Sequence, residues 1–284
     1  MVHNAGNADT GGEDENMRRR NLIAAAAAAL AAGCTRKADP AAVGARPCVS
    51  GGGTTFLVAH GAWSAGWSWK KMHPLMSAAG HRLIVPSYTG LGEREHLASP
   101  EVDLDTHIND VLGVIRFEEL SDVVLVGHSY GGMVATAVAD RVPERIRKLV
   151  YLDAFVPRDG QSLFDLAPAQ VREQLLAGMR AGDGWRVPPM PVPEDTSPED
   201  VAWISRLRMP QPLHCFDRPV KLSGEIRVPR AYIYALRHPP ADTFGPFAAR
   251  AKAEGWEYRE IDASHSPHVT APERLAEMLV ALAG

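Results

Sequence analysis

The chain has 284 residues, 45% of them hydrophobic, and 30 Lys and Arg against 34 Asp and Glu give a formal net charge of -4. That is enough for one α/β domain with an insertion and a sizeable core, and it leaves no basic footprint for nucleic acid. Three cysteines, Cys34, Cys48 and Cys215, make neither a disulfide framework nor a metal-ligand spacing, and no stretch of the main body is long and apolar enough to span a membrane.

Residues 1–16 are polar and featureless, so Met17 is an alternative start. Met17-Arg18-Arg19-Arg20 reads as a basic n-region and 22–32 as an apolar, alanine-rich h-region; the competing reading of that run is a surface helix. Leu30-Ala31-Ala32-Gly33-Cys34 resembles a bacterial lipobox, in which Cys34 carries the lipid, and Arg19-Arg20-Asn21-Leu22-Ile23 resembles a twin-arginine export signal. Residues 1–34 are therefore expected to be a signal peptide, and 35–53, rich in Ala, Pro and Gly, a tether. The expected location is the cell envelope, exported and lipid-anchored, or the cytoplasm if the signal does not function. Membrane contact is expected only through that lipid. In an exported chain Cys48 and Cys215 could pair or stay free thiols.

From Thr54 onward strand and helix signals alternate. Strands are expected at 56–59, 82–85, 123–126, 148–152, 230–235 and 256–261, and helices at 67–79, 104–116, 133–142, 244–254 and 272–282. This predicts an α/β fold with a mostly parallel sheet covered on both faces. Between 157 and 228 the alternation stops. Clustered prolines (Pro188, Pro189, Pro191, Pro193) and apolar residues without strand periodicity (Leu175, Leu176, Met179, Trp203) predict a helical cap over the active site. A separate domain would lack the apolar residues for its own core. One catalytic domain, 54–284, is expected.

Within that domain Gly127-His128-Ser129-Tyr130-Gly131-Gly132 follows the β-branched run Val123-Val124-Leu125-Val126 and precedes an apolar, alanine-rich segment. A serine in G-x-S-x-G at a strand-to-helix turn is a nucleophile elbow, which lifts the hydroxyl clear of the sheet. A tetrahedral intermediate then needs two N–H groups aimed at its oxyanion. In such a turn one comes from the residue after the serine, Tyr130, and the other from the loop after the earlier strand, His60-Gly61-Ala62-Trp63, where Ala62 is the candidate by position. The general base must come late in the chain. His265 in Asp262-Ala263-Ser264-His265-Ser266-Pro267-His268 lies nearer the strand end than its rival His268. No carboxylate or cysteine cluster accompanies these histidines, so no metal and no other cofactor is expected. His128 reads as structural or pocket-lining.

Val58-Ala59-His60-Gly61-Ala62-Trp63, Thr89-Gly90-Leu91-Gly92-Glu93-Arg94, the elbow and His265 together resemble the α/β-hydrolase superfamily. The likeness is to the branch of bacterial pyrethroid-hydrolase-like esterases, plant methylesterases and hydroxynitrile lyases, over roughly 54–283. The resemblance puts His238 of Tyr232-Ile233-Tyr234-Ala235-Leu236-Arg237-His238 where the acid usually stands, and a histidine cannot hold an imidazolium as a carboxylate does. Asp153, ending the strand after the elbow helix, is the favoured replacement and Asp242 the alternative; Asp262 shares a loop with His265 and is not expected to reach the far ring nitrogen. Trp63, Trp67, Phe155, Leu163 and Trp203 are candidates for an apolar substrate pocket. The expected function is hydrolysis of a small to medium hydrophobic carboxylic ester by Ser129, His265 and an aspartate, through an acyl-enzyme. An amide or carbamate hydrolase on the same triad and a non-catalytic ligand receptor are the alternatives. Lyases of the branch carry a threonine at the Gly61 position and a lysine after the catalytic histidine; Gly61 and Ser266 argue against that activity here.

Overall fold

The computed structural model describes residues 52–238 and 242–284. The expected signal peptide, all but the last residues of the tether, Cys34 and Cys48 lie outside the described residues. Six strands form one sheet: β1 (Thr55–Ala59), β2 (Arg82–Ile84), β3 (Val123–His128), β4 (Ile146–Leu152), β5 (Arg230–Ala235) and β6 (Glu257–Ile261). They run in the order β2-β1-β3-β4-β5-β6 and every pairing is parallel. A parallel sheet needs crossover helices, and these cover both faces, which is why β3 is buried at every position.

Side chains alternate across each strand, so the core divides in two. Phe56, Val58, Val124, Val126, Val150 and Ile233 pack on one face against helices α1 (Met72–Ala78) and, near the C-terminus, Pro272–Ala283. Leu57, Leu125, Leu149, Tyr151 and Tyr232 face the other way, toward α2 (Leu104–Phe117), α3 (Gly131–Arg141) and the helix Gly245–Ala253. Helix α2 begins with a capping box, in which the Asp103 carboxylate accepts the Thr106 N–H and the Thr106 hydroxyl accepts the Asp103 N–H.

One expected helix, 67–79, is two pieces: a 3₁₀ turn Gly66–Trp69, then α1. Pro74 has no N–H to return to Lys70, so an uninterrupted helix from 67 would carry a broken bond; in the first turn of α1 that N–H is not needed. The stretch 157–228 carries the expected helices, of which α4 (Ala169–Ala181) and α5 (Pro198–Leu207) are the longest. It also holds an unexpected two-stranded antiparallel ribbon, Arg186–Val187 against Gln211–Pro212. Two residues per strand are too few to leave a period in the sequence.

The sheet order reverses direction at β1, whose neighbours are β2 and β3. In open α/β sheets the crevice beyond the strand C-termini at such a switch point is where ligands bind. The loop after β1 and the elbow after β3 meet there.

Candidate active site

Ser129 sits at φ 56, in the left-handed region that a β-carbon disfavours. The turn is tied down around it: Ser129 N–H donates to Leu152 O at 3.3 Å, and Ser129 O accepts from Gly132 N–H at 3.0 Å and Phe155 N–H at 3.2 Å. Gly131 is required by contact, since a Cβ there would stand 2.0 Å from the Ala59 carbonyl oxygen. That closeness brings the start of α3 against the end of β1, so the loop Gly61-Ala62-Trp63 lies beside the serine. Among the described residues the backbone N–H groups of Ala62 and Tyr130 have no protein acceptor.

Ser129 Oγ is 2.8 Å from His265 Nε2, and His265 Nδ1 is 2.7 Å from Asp153 Oδ2. The His265 side chain is 34% exposed and Asp153 is buried, so the line runs from a part-exposed imidazole to a dry carboxylate. Asp153 follows β4 with φ 42, a turn that swings its carboxylate across the top of β5, where its Oδ1 also accepts the Ala235 N–H at 3.3 Å. Asp242 is turned elsewhere. It takes the Tyr234 hydroxyl at 2.6 Å and the N–H groups of Phe244 and Gly245 at 3.0 and 2.8 Å. Asp262 is exposed and held by Arg237 at 2.7 and 2.8 Å, and His238 Nε2 stands 3.9 Å from Asp242.

Three buried histidines frame the site. His128 Nε2–H donates to the His265 carbonyl at 2.7 Å, and burial holds its pKa well below the ordinary value. Its ring also explains Gly61, because a Cβ at 61 would come within 2.8 Å of His128 Nδ1. His60 accepts the Tyr88 N–H on Nε2 at 3.4 Å and so donates from Nδ1 to Gly61 O at 2.9 Å; burial lowers its pKa to about 3. His268 stacks on Trp69 at 4.6 Å and meets the edge of His128 at 4.7 Å, away from Ser129 Oγ.

The apolar candidates do not share one wall. Phe155 and Leu163 belong to the main core, where Phe155 packs on Phe244 and Phe247 at 5.1 and 5.7 Å. Trp67 and Trp203 meet edge to face at 5.5 Å in a separate cluster with Ile204 and Val269. Trp63 is bound into the cap: its indole N–H donates to Val187 O at 2.9 Å and its ring stacks on Phe216 at 5.8 Å. Phe244, unforeseen from the sequence, lies flat on the His265 ring at 4.7 Å. Two polar cap residues were equally unforeseen. Gln211 Oε1 accepts the Trp63 N–H at 2.9 Å, and Asp195 Oδ2 accepts the Ser264 N–H at 3.0 Å, beside His265. A lone glutamine and a lone aspartate in a proline-rich stretch carry no signal; Phe244 had one, in its place just past the strand that usually bears the acid.

The model of the alpha/beta hydrolase family matches residues 56–278. The chain belongs to that family. It is 40% identical over 242 residues to a carbendazim hydrolyzing esterase of Nocardioides sp. (strain SG-4G), a match covering 80% of this chain and 98% of the relative. It is 31% identical over 141 residues to methylesterase 2 of Arabidopsis thaliana, covering 46% and 48%. Among solved structures, an extracellular α/β-hydrolase from a Paenibacillus species superposes with a TM-score of 0.73 at 24% identity, over 80% of this chain and 98% of that one. With an esterase matched over nearly its full length, the chain is a carboxylic ester hydrolase.

Proposed function

We propose that the chain hydrolyses a small to medium hydrophobic carboxylic ester through an acyl-enzyme on Ser129. The carrying observation is the unbroken line from Ser129 Oγ through His265 to Asp153, with contacts of 2.8 and 2.7 Å. Ser129 Oγ attacks the carbonyl carbon while His265 Nε2 takes its proton; Asp153 keeps the other ring proton on Nδ1 and faces the imidazolium that forms. The carbonyl oxygen becomes an oxyanion held by the N–H groups of Ala62 and Tyr130, the latter at the N-terminus of α3. Collapse of the intermediate expels the alkoxide, which receives the proton from His265, and leaves the acyl group on Ser129. Water, deprotonated by His265, repeats the sequence and releases the acid. Phe244, flat on the His265 ring, and the half-buried Trp63, next to Ala62, supply apolar surface near this centre, which supports an apolar acyl or alcohol group.

The test is turnover of p-nitrophenyl acetate and butyrate by the full chain and by Ser129→Ala. Burst release of p-nitrophenol followed by slower turnover, lost in the variant, is expected. No turnover of either ester by wild type overturns the small hydrophobic ester as substrate, and turnover surviving in Ser129→Ala overturns the acyl-enzyme. A carbamate or amide probe turned over faster than both esters would move the substrate class but keep the triad. We further propose that 1–34 is an export signal ending in a lipidated Cys34 and 35–53 a tether. Supporting this are the basic, apolar and Leu30-Ala31-Ala32-Gly33-Cys34 blocks. Cys34→Ser should shift the protein from the membrane fraction to the soluble fraction; an unchanged distribution excludes the lipid.

A further inference from the structure

We infer that Gln211 is a positioning residue for the oxyanion-binding loop, through which the cap sets the aim of the Ala62 N–H. The inference rests on the serine-esterase reading above.

The loop after β1 must present the Ala62 N–H to a point beside Ser129; His60 Nδ1–H holds Gly61 O at 2.9 Å on the near side, and the far side is Trp63. Trp63, the next residue, is held at φ 59, a left-handed conformation that a bulky residue keeps only when its surroundings impose it. The partners that impose it lie within 157–228. The Trp63 backbone N–H donates to Gln211 Oε1 at 2.9 Å, and its carbonyl accepts the Met209 N–H at 3.4 Å. Its indole N–H donates to Val187 O at 2.9 Å, while Phe216 stacks on the ring at 5.8 Å and the Arg208 guanidinium sits 5.5 Å from its centre. Val187 and Gln211 are paired neighbours in the two-stranded ribbon. The ribbon thus grips one tryptophan from two sides, by a backbone oxygen on the ring and a side-chain oxygen on the backbone.

Of these contacts only the Gln211 carboxamide acts on the peptide unit that joins Ala62 to Trp63. Gln211 holds that unit's N–H while His60 Nδ1–H holds Gly61 O of the preceding unit, which carries the Ala62 N–H, so Ala62 is set between two restrained peptide planes. Gln211 is fully buried, with its Oε1 on the Trp63 N–H and its amide N–H within reach of the Cys215 sulfur. Burying a carboxamide costs stability unless it is hydrogen-bonded, so the side chain is better explained by the backbone N–H its oxygen holds than by apolar packing. Without the acceptor, the Trp63 N–H is stranded and the left-handed turn loses its main backbone restraint.

The experiment compares the full-length wild type with Ser129→Ala, Gln211→Met and Gln211→Glu. It measures kcat and KM on p-nitrophenyl acetate, and the affinity of an alkyl boronic acid that forms a tetrahedral adduct on the serine. Gln211→Met removes the acceptor at near-constant volume. We expect kcat to fall ~30-fold with KM within ~3-fold, and boronic acid affinity to fall by a similar factor, since a misaimed oxyanion donor weakens the tetrahedral state alone. Gln211→Glu keeps a carbonyl-type acceptor in either protonation state and should recover kcat to within ~5-fold of wild type. If Gln211→Met does not fold, Gln211→Asn, which withdraws the oxygen by one methylene, carries the same expectation. A kcat within twofold of wild type in the acceptor-less variant, or an unchanged boronic acid affinity, overturns the inference while the esterase reading stands. Wild type and Ser129→Ala equally inactive would instead remove the Ser129 acyl-enzyme reading, and the inference with it.

Discussion

Replacing Asp153 by asparagine puts the acid assignment to its hardest test, because both orientations of the new amide fail for a stated reason. Asp153 uses its two oxygens on two donors, His265 Nδ1–H at 2.7 Å and Ala235 N–H at 3.3 Å. If the amide NH₂ faces His265, it needs a lone pair on Nδ1. The ring proton then moves to Nε2, which can no longer accept from Ser129 Oγ at 2.8 Å. If the amide oxygen faces His265, the NH₂ is driven against the Ala235 N–H, a buried donor opposite a donor. The charge opposite the imidazolium is lost in either case. Loss of both tautomer and charge costs on the order of 10⁴-fold in kcat, or about 5 kcal/mol of transition-state stabilisation. The assay is kcat on p-nitrophenyl acetate near pH 8, with a circular-dichroism melt to establish that the variant is folded at the assay temperature. Asp242→Asn is the control. Its carboxylate is committed to Tyr234, Phe244 and Gly245, so kcat should stay within ~5-fold, the residual effect coming through Phe244 on the His265 ring. Asp153→Asn retaining more than about a tenth of wild-type kcat would refute the reasoning, and collapse in Asp242→Asn alone would give the role to the loop.

Gly131→Ala should destabilise the fold by ~3 kcal/mol, since its Cβ would press on backbone atoms of Ala59 and His60 that cannot rotate away. A thermal melt should then fall by ~6–12 °C, and a change under ~2 °C would count against the close approach. Acid sensitivity follows from His60, His107 and His268, each lowered by burial to a pKa of about 3. They are neutral when folded but protonate near 6.5 when unfolded, so the unfolded chain binds more protons between those values. Stability is complete above 6.5 and declines as pH falls toward 3, by up to ~1.4 kcal/mol per pH unit for each histidine. Urea midpoints should drop steeply from pH 7 to pH 5, and His268→Phe should flatten the slope; equal midpoints at the two pH values would dismiss the linkage. Asp195→Ala strips the Ser264 N–H of its acceptor beside His265 and should lower kcat ~10-fold with little change in melting temperature. An unaltered kcat would make Asp195 a surface contact only.

Where sequence reading reached the structure, a repeating physical constraint carried it. β3 is apolar at each position because both faces of a central parallel strand are covered, and the elbow glycines are dictated by contacts as short as that of Gly131 with Ala59. Such constraints act within a few residues, so a run of letters records them. Asp153 shows the border of that legibility. Its place at the end of β4 follows from strand periodicity, but its reach to His265, 112 residues later, depends on the φ 42 turn and on β5 lying next to β4. Gln211 and Asp195 lie wholly beyond it. Each makes one hydrogen bond from an irregular cap to a backbone N–H of the sheet loops, over separations of 148 and 69 residues. A single long-range bond imposes no period and no composition. The cap therefore reads as loosely specified in sequence, although through these two bonds it touches the loops on both sides of Ser129. A change of cap residues that leaves Ser129, His265 and Asp153 in place should accordingly alter turnover through those N–H groups, and not only the choice of substrate.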